Sequence, residues 1–247
     1  MQDRSAIALF SGGLDSILTV KWMRKLGFKV YPVFFDAPYF PSAKAIESAR
    51  VNDIGLIVRD ISAEHLAMIQ NPRFGYGKNF NPCIDCHSMM FNLAGKLLSE
   101  FNADFLISGE VVGQRPMSQR RHALQMVSDA SGFGDLLVRP LCQKLLPDTL
   151  PIRSGWVDKN QLLGFNGRNR TPQMNLAKEL GVTEFPAPGG GCLLTDVNYS
   201  LRLRELLAHE EQTTENIQLL RYGRHFRLAA GHKLIIGRDN AENEILW

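Results

Sequence analysis

Two hydrophobic rhythms interleave along the first two-thirds of the chain. Short, unbroken apolar runs read as buried strands: Ile7 to Phe10, Phe28 to Phe35 ("FKVYPVFF"), Gly55 to Ile61, Asp104 to Ser108 ("DFLIS") and Leu136 to Leu141 ("LLVRPL"). Between them, apolar residues at helical spacing predict helices over Asp15 to Lys25, near Ala43 to Asn52, and over about Cys86 to Glu100. Strands alternating with helices indicate βαβ units, hence a parallel sheet covered on both faces. Right-handed crossovers make that a doubly wound α/β fold, which binds ligands at the carboxyl ends of its strands.

The texture changes near Pro147. A stretch rich in Pro, Gly, Asn and Arg leads into a predicted helix near Gln173 to Leu180 and then "FPAPGGGC". From Ser200 a further helix is expected, followed by a basic tail with a short hairpin. The expected organisation is a nucleotide-binding domain over 1–146, a loop-rich extension over 147–200, and a small basic C-terminal appendage over 201–247. Composition changes this picture little. At 247 residues, 45% hydrophobic and 21% charged, the chain can bury a sizeable core. Its net charge of +3 is compatible with a nucleic-acid partner without demanding one. No apolar stretch reaches the roughly 20 residues of a membrane span, and the first ten residues do not read as a signal peptide. The expectation is a cytoplasmic protein with no membrane partner. There, four cysteines favour metal or catalytic chemistry over disulfides.

The first strand runs into Ser11-Gly12-Gly13-Leu14-Asp15-Ser16 at the start of a helix. Two glycines let the backbone turn and bring its N–H groups to an anion, and the helix start adds its positive dipole end. Ser11 and Ser16 supply hydroxyl donors, and Asp15 can hold Mg²⁺ against phosphates. A Gly-Gly turn with an ordinary helix cap is the plainer reading of "SGG" alone. The full six-residue pattern after a first strand favours phosphate. It lacks the Gly-Lys-Ser/Thr ending of a Walker loop.

Sulfur chemistry enters with "NPCIDCH". Cys83 and Cys86 form a Cys-x-x-Cys pair at a helix start, a position that favours thiolate. A redox pair, half of a zinc site and a chance spacing all stay open for it; a second such pair would favour zinc, and the sequence has none. Cys192 follows three glycines in "GGGC", where backbone can approach a ligand closely. Cys142 reads as a small buried hydrophobe; His87, next to Cys86, is open as a ligand, although a solvated helix-start residue is the plainer reading.

The Ser11–Ser16 pattern resembles the PP-loop ATP pyrophosphatases, which share an adenine nucleotide alpha hydrolase-like fold. The resemblance implies that the loop takes the β- and γ-phosphates of ATP as a pyrophosphate leaving group. Its implied contacts are Ser11, Gly12, Gly13, Asp15, Ser16, Phe35 and Gly109. The cysteine contexts resemble the 2-thiouridine synthetases of tRNA (the MnmA type). Cys86 matches that branch's first catalytic cysteine, Cys192 its second, and Cys83 stands in place of an aspartate. "FLISGEVVG" lies where the branch has Thr-Gly-His, so Gly109 matches and Glu110 departs. Three thiolates, Cys83, Cys86 and Cys192, also resemble the ligand set of tRNA thiolases that carry a [4Fe–4S] cluster.

The resemblance therefore implies a tRNA sulfurtransferase. A uridine oxygen is adenylated with release of pyrophosphate, and sulfur then arrives through the cluster or a Cys192 persulfide with Cys86 resolving. Catalytic roles fall to Asp15, Cys86 and Cys192. The sulfur donor is sulfide or a cysteine desulfurase relay, and a homodimer is compatible with this reading. For the tRNA backbone the basic positions are Arg115, Arg120, Arg121, Arg168 and Arg170, with Arg221, Arg224 and Arg227 in the tail. The tail weakly resembles the opening of the RNA-associated NFACT-R module, and no THUMP domain is expected ahead of the loop. Two other readings stay open. One is a PP-loop synthetase or sulfurtransferase acting on a small molecule; the other is an RNA- or nucleotide-binding protein with a structural metal site.

Overall fold

The computed structural model describes residues 4–77, 79–115, 118–187, 191–209 and 212–247. Gly189 and Gly190, two of the three glycines before Cys192, lie outside the described residues. The chain divides into two compact units. The first comprises Met1–Asp36, Ser42–Gly75 and Pro82–Gly189; the second comprises Ala37–Pro41, Tyr76–Asn81 and Gly190–Trp247.

The first unit runs β1 (Ser5–Leu9), α1 (Leu14–Lys25), β2 (Lys29–Asp36), α2 (Ala43–Val51), β3 (Ile57–Asp60), α3 (Ser62–Gln70), α4 (Cys83–Glu100), β4 (Phe105–Ser108), α5 (Arg121–Ser131), β5 (Leu137–Val138), α6 (Leu150–Arg153) and α7 (Thr171–Glu179). Its five strands form one sheet in the order β3-β2-β1-β4-β5, and every neighbouring pair is parallel. The doubly wound α/β fold expected from the hydrophobic pattern is what forms. β1 is central, and Ala6, Ile7 and Ala8 are fully buried, as a strand covered on both faces requires. Pro32 is tolerated in β2 because pairing with β3 begins only at Val33, opposite Ile57.

Chain order reverses direction between β1 and β4. β2 and β3 are added on one side of β1, then β4 and β5 on the other. Such a switch point opens a crevice at the carboxyl ends of the two strands, since their outgoing connections diverge to opposite sides. Ser11–Ser16 leaves β1 there and Gly109 leaves β4 there.

Three helices of the first unit go beyond what the apolar pattern predicts: α3, α5 and the single turn α6. "SAEHLAMIQ" is too short to signal α3, and the arginines around 120 mask the start of α5. The buried stripe of α5, Ala123, Leu124 and Val127, nonetheless has helical spacing. α4 starts at Cys83 rather than near Cys86, and Cys86 N–H donates to the Pro82 carbonyl at 2.9 Å to close its first turn.

The second unit contains α8 (Val197–His209), α9 (Thr214–Leu219), the antiparallel hairpin β6 (Arg224–Arg227) and β7 (Lys233–Ile236), and α10 (Asn240–Leu246). Tyr199, Leu203, Leu206, Ile217 and Leu220 form its buried centre. The Tyr39 and Tyr199 rings meet edge to face at 6.2 Å. Glu205 on α8 pairs with Arg227 and, at 2.5 Å, with Lys233, tying the hairpin to the helix. Arg221 donates to the Pro38 carbonyl. Two of the three tail arginines thus have partners within their own unit, whereas Arg224 is exposed.

Gly12 holds the turn. Its φ is +78°, and a Cβ there would sit 2.8 Å from Ala45 Cα on α2. Gly12→Ala should therefore cost about 1–3 kcal/mol of stability through backbone strain and the clash. Urea unfolding checks this; an unchanged midpoint would contradict the packing described.

Candidate active site

Helix α1 begins at Gly13 with extended φ/ψ and no side-chain cap, so its first-turn N–H groups and dipole end are available to an anion. The Ser16 hydroxyl donates to the Gly13 carbonyl at 2.8 Å, and the Ser48 hydroxyl on α2 donates to the Gly12 carbonyl at 2.7 Å. Ser11 is exposed, and its Oγ lies 3.4 Å from both Gly13 N and Ser16 Oγ. Phe35, near the end of the adjacent strand β2, is buried.

Gly109 comes close to this turn from the far side of the switch point. A Cβ on Gly109 would lie 2.7 Å from the Asp15 carbonyl carbon and oxygen and 2.8 Å from Ser16 N. Gly109 thus serves as the surface on which the first turn of α1 rests. The matched position in the sequence carries a steric requirement.

Asp15 is held by amide side chains. Gln114 Nε2 donates to Asp15 Oδ2 at 2.6 Å, and Gln173 Nε2 on α7 donates to Gln114 Oε1 at 3.0 Å. Asp15 Oδ1 is buried and has no hydrogen-bond partner. Burial pushes the Asp15 carboxyl above its ordinary range, only partly offset by the Gln114 amide, the Arg170 charge, the nearby Gln173 amide and the Arg115 charge. A carboxylate with one oxygen locked and the other free suits a divalent cation, and the hard oxygen donor fits Mg²⁺.

The next residue after Gly109 is the second focus. Glu110 is buried, and its Oε2 accepts from Arg139 Nε at 2.8 Å and from the Ser108 hydroxyl at 3.2 Å. Oε1 lies 2.9 Å from His87 Nδ1 on α4. Arg139 is itself satisfied by Ser128 Oγ and the Leu124 carbonyl on α5. Burial pushes the Glu110 carboxyl up, but Arg139 and His87 outweigh it and hold the group well below the usual carboxylate range. His87, expected as a solvated residue, is oriented by this carboxylate. Neither Glu110 nor Arg139 is a site residue by sequence pattern, although a charged residue within "ISGEVV" and another within "LLVRPL" are the available signal.

Cys83 and Cys86 share the first turn of α4, three residues apart. Cys86 Sγ lies 3.4 Å from His65 Nε2 on α3. Burial keeps His65 neutral, with its pKa pushed down to about 3. Asp85 accepts from the backbone N–H groups of Arg73 and Phe74 at 2.8 and 3.1 Å, fixing the segment ahead of α4. Cys142 is fully buried, its Sγ donates to the Glu110 carbonyl at 3.2 Å, and burial pushes its thiol up to about 11. Cys192 belongs to the second unit, where its carbonyl accepts from Thr195 N and Oγ1. Among the described residues, no group of three or more His, Cys, Asp or Glu side chains is arranged to hold a metal ion. Arg115, Arg120, Arg121 and Arg168 are exposed, Arg121 as the first residue of α5, while Arg170 is half-buried.

The model of the family described as "ThiI: Thiamine biosynthesis protein (ThiI)" matches residues 2–144, more than half of the 247 residues. The chain belongs to this ThiI family. No curated protein matches the sequence. Among solved structures, a 4-thiouridine synthetase–RNA complex with bound ATP is similar, with a TM-score of 0.51 and 23% identity. The match covers 72% of this chain and 41% of that one, so the chain spans less than half the length of that relative. A predicted subunit of tRNA methyltransferase from Methanocaldococcus jannaschii has a TM-score of 0.44 and 15% identity over 95% of this chain and 97% of its own. NMN synthetase from Francisella tularensis has 0.43 and 14% over 88% and 83%. The likeness to the 4-thiouridine synthetase concerns the fold. The family match supports the ThiI family and gives no support to the 2-thiouridine branch suggested by the contexts of Cys86 and Cys192.

Glu110→Gln should destabilise the protein by about 3–5 kcal/mol, because it leaves the Arg139 guanidinium buried without its counter-charge. With a folded-state pKa below its unfolded value, the Glu110 contribution is fully present above about pH 4.3 and lost as the pH falls through the folded value. Urea titrations at several pH values check both; a variant as stable as wild type at neutral pH would contradict the buried pair.

Proposed function

We propose that this ThiI-family chain is the ATP-using, sulfur-inserting part of a tRNA thiolation enzyme. The carrying observation is Asp15, fixed through Oδ2 with Oδ1 buried and unpartnered, beside the uncapped start of α1. Family membership supports the reading, and the relative that binds ATP and RNA shares its fold.

In this reading the Ser11–Ser16 loop holds the β- and γ-phosphates with backbone N–H groups and the Ser11 and Ser16 hydroxyls. Asp15 would hold Mg²⁺, which supplies positive charge against the phosphates. A uridine carbonyl oxygen attacks the α-phosphorus, the bond to the bridging β-phosphate oxygen breaks, and pyrophosphate leaves. Preorganised donors at the loop stabilise the charge that builds on that leaving group. The base has to leave its stack to reach the site. Exposed Arg120, Arg121 and Arg168 suit the RNA backbone, whose recognition depends on accessible cations.

The activated carbon then accepts sulfur and loses AMP. The first unit offers two thiols on one helical turn, short of the three thiolates a [4Fe–4S] cluster would take, and the third cysteine lies in the second unit. The pair in the first unit does not by itself make up a cluster site, and the reaction as proposed runs through thiols alone. An external donor leaves a sulfane sulfur on Cys192, and that sulfur attacks the carbon. A second thiol, the role the sequence resemblance gives to Cys86, cleaves the S–S bond. The base keeps the sulfur, and a thiol reductant resets the resulting disulfide. The cytoplasm supplies such reductants and is the proposed location. Among the described residues no helix is long and apolar enough to cross a membrane.

The family description, thiamine biosynthesis, favours a second reading in which the acceptor is a small precursor. Pyrophosphate release distinguishes the two. With tRNA, ATP and Mg²⁺, wild type should release pyrophosphate only when tRNA is present, and Asp15→Ala should lower the rate by about a hundredfold or more. Release independent of tRNA would favour the small acceptor. Release unaffected by Asp15→Ala would remove the loop from the reaction.

A further inference from the structure

The Ser11–Ser16 loop contains no cationic side chain, although the leaving pyrophosphate gathers negative charge. We infer that Arg170, at the N-cap of α7, is the phosphate-binding guanidinium of the ATP site and not a contact for tRNA. This inference rests on the ATP reading above. The first turn of α7 is joined to the first turn of α1 by two hydrogen bonds, from Gln173 to Gln114 and from Gln114 to Asp15. At the start of α7, Asn169 Oδ1 accepts from the Thr171 N–H at 3.0 Å and Pro172 has no N–H, so of the first three helical residues only Gln173 keeps an N–H for an anion.

Besides Asp15 Oδ1, two buried atoms at this junction have no hydrogen-bond partner. Gln173 is 1% exposed and its Oε1 meets no donor. Arg170 is half-buried and its Nε is buried without a hydrogen bond, whereas Arg168 is exposed. A neighbouring segment is locked to the same place. Gly167 N donates to the Val112 carbonyl at 2.8 Å, and Val112 bridges to Asn166 in parallel register. The chain just before Arg170 is thus tied to the chain just before Gln114. Guanidinium matches phosphate oxygens with two parallel N–H donors, which Lys cannot do. Arg168, two residues earlier and exposed, remains a backbone contact for RNA.

The test is binding of α,β-methylene-ATP, of AMP and of tRNA to full-length Arg170→Ala, Arg170→Lys and Arg168→Ala. Arg170→Ala should weaken α,β-methylene-ATP by about 10- to 100-fold, the loss of a charge-assisted contact. AMP, which lacks the β- and γ-phosphates, should bind as to wild type, as should tRNA. Arg170→Lys should recover part of the loss, and Arg168→Ala should weaken tRNA alone. Equal losses for AMP and α,β-methylene-ATP would mean a structural role and overturn the inference. So would unchanged nucleotide binding in Arg170→Ala, or a loss confined to tRNA. A wild-type protein that fails to bind α,β-methylene-ATP would instead sink the ATP reading itself.

Discussion

The structure of the first unit depends on one close approach, the backbone of Gly109 against the backbone of Asp15 and Ser16. A methyl group at Gly109 would lie 2.7 Å from Asp15 main-chain atoms, so only glycine lets β4 end where α1 begins. That approach lies at the carboxyl ends of β1 and β4, where the sheet order opens a crevice. It also decides what the neighbouring residues can do. Asp15 projects from the turn resting on Gly109, and Glu110 follows directly, facing His87 and Arg139.

Two polar systems diverge from this point. One runs from Asp15 through Gln114 to Gln173 and brings α7, far along the chain, to the start of α1. The other runs from Glu110 to His87 on α4, the helix that also carries Cys83 and Cys86. Buried carboxylates are costly unless paired, and each system solves the problem differently. Glu110 keeps its charge by pairing with a guanidinium. Asp15 is held by neutral amides, and its carboxyl rises through burial. A group that is incompletely compensated in this way gains from a divalent cation, whereas one already paired does not.

Much of the fold is legible in the sequence because its signals are local. Five apolar runs and the turn between the first strand and first helix can each be read from a few consecutive residues. α3 is not legible, since nine residues with a lone histidine carry little periodic signal. α5 is obscured by arginines at its start. The nucleotide loop is recognisable from six residues, but its supports are not. Gln114 and Gln173 are 59 residues apart, Glu110 and Arg139 29, and Cys86 and His65 21. Hydrogen bonds across such separations leave no pattern in spacing. The clearest indirect sign is a charge in an otherwise apolar setting, as with Glu110 and Arg139. The arginines show the converse. Five look equivalent in sequence, and burial sets Arg170 apart from the exposed Arg168.

The central claim is that a uridine in tRNA exchanges a carbonyl oxygen for sulfur at this ATP site. The most direct measurement is mass spectrometry of nucleosides from tRNA of a strain lacking this protein, compared with the same strain carrying wild type. The account predicts that one thiouridine is absent in the deletion and restored by wild type. Thiouridine levels that are the same in both strains would contradict it.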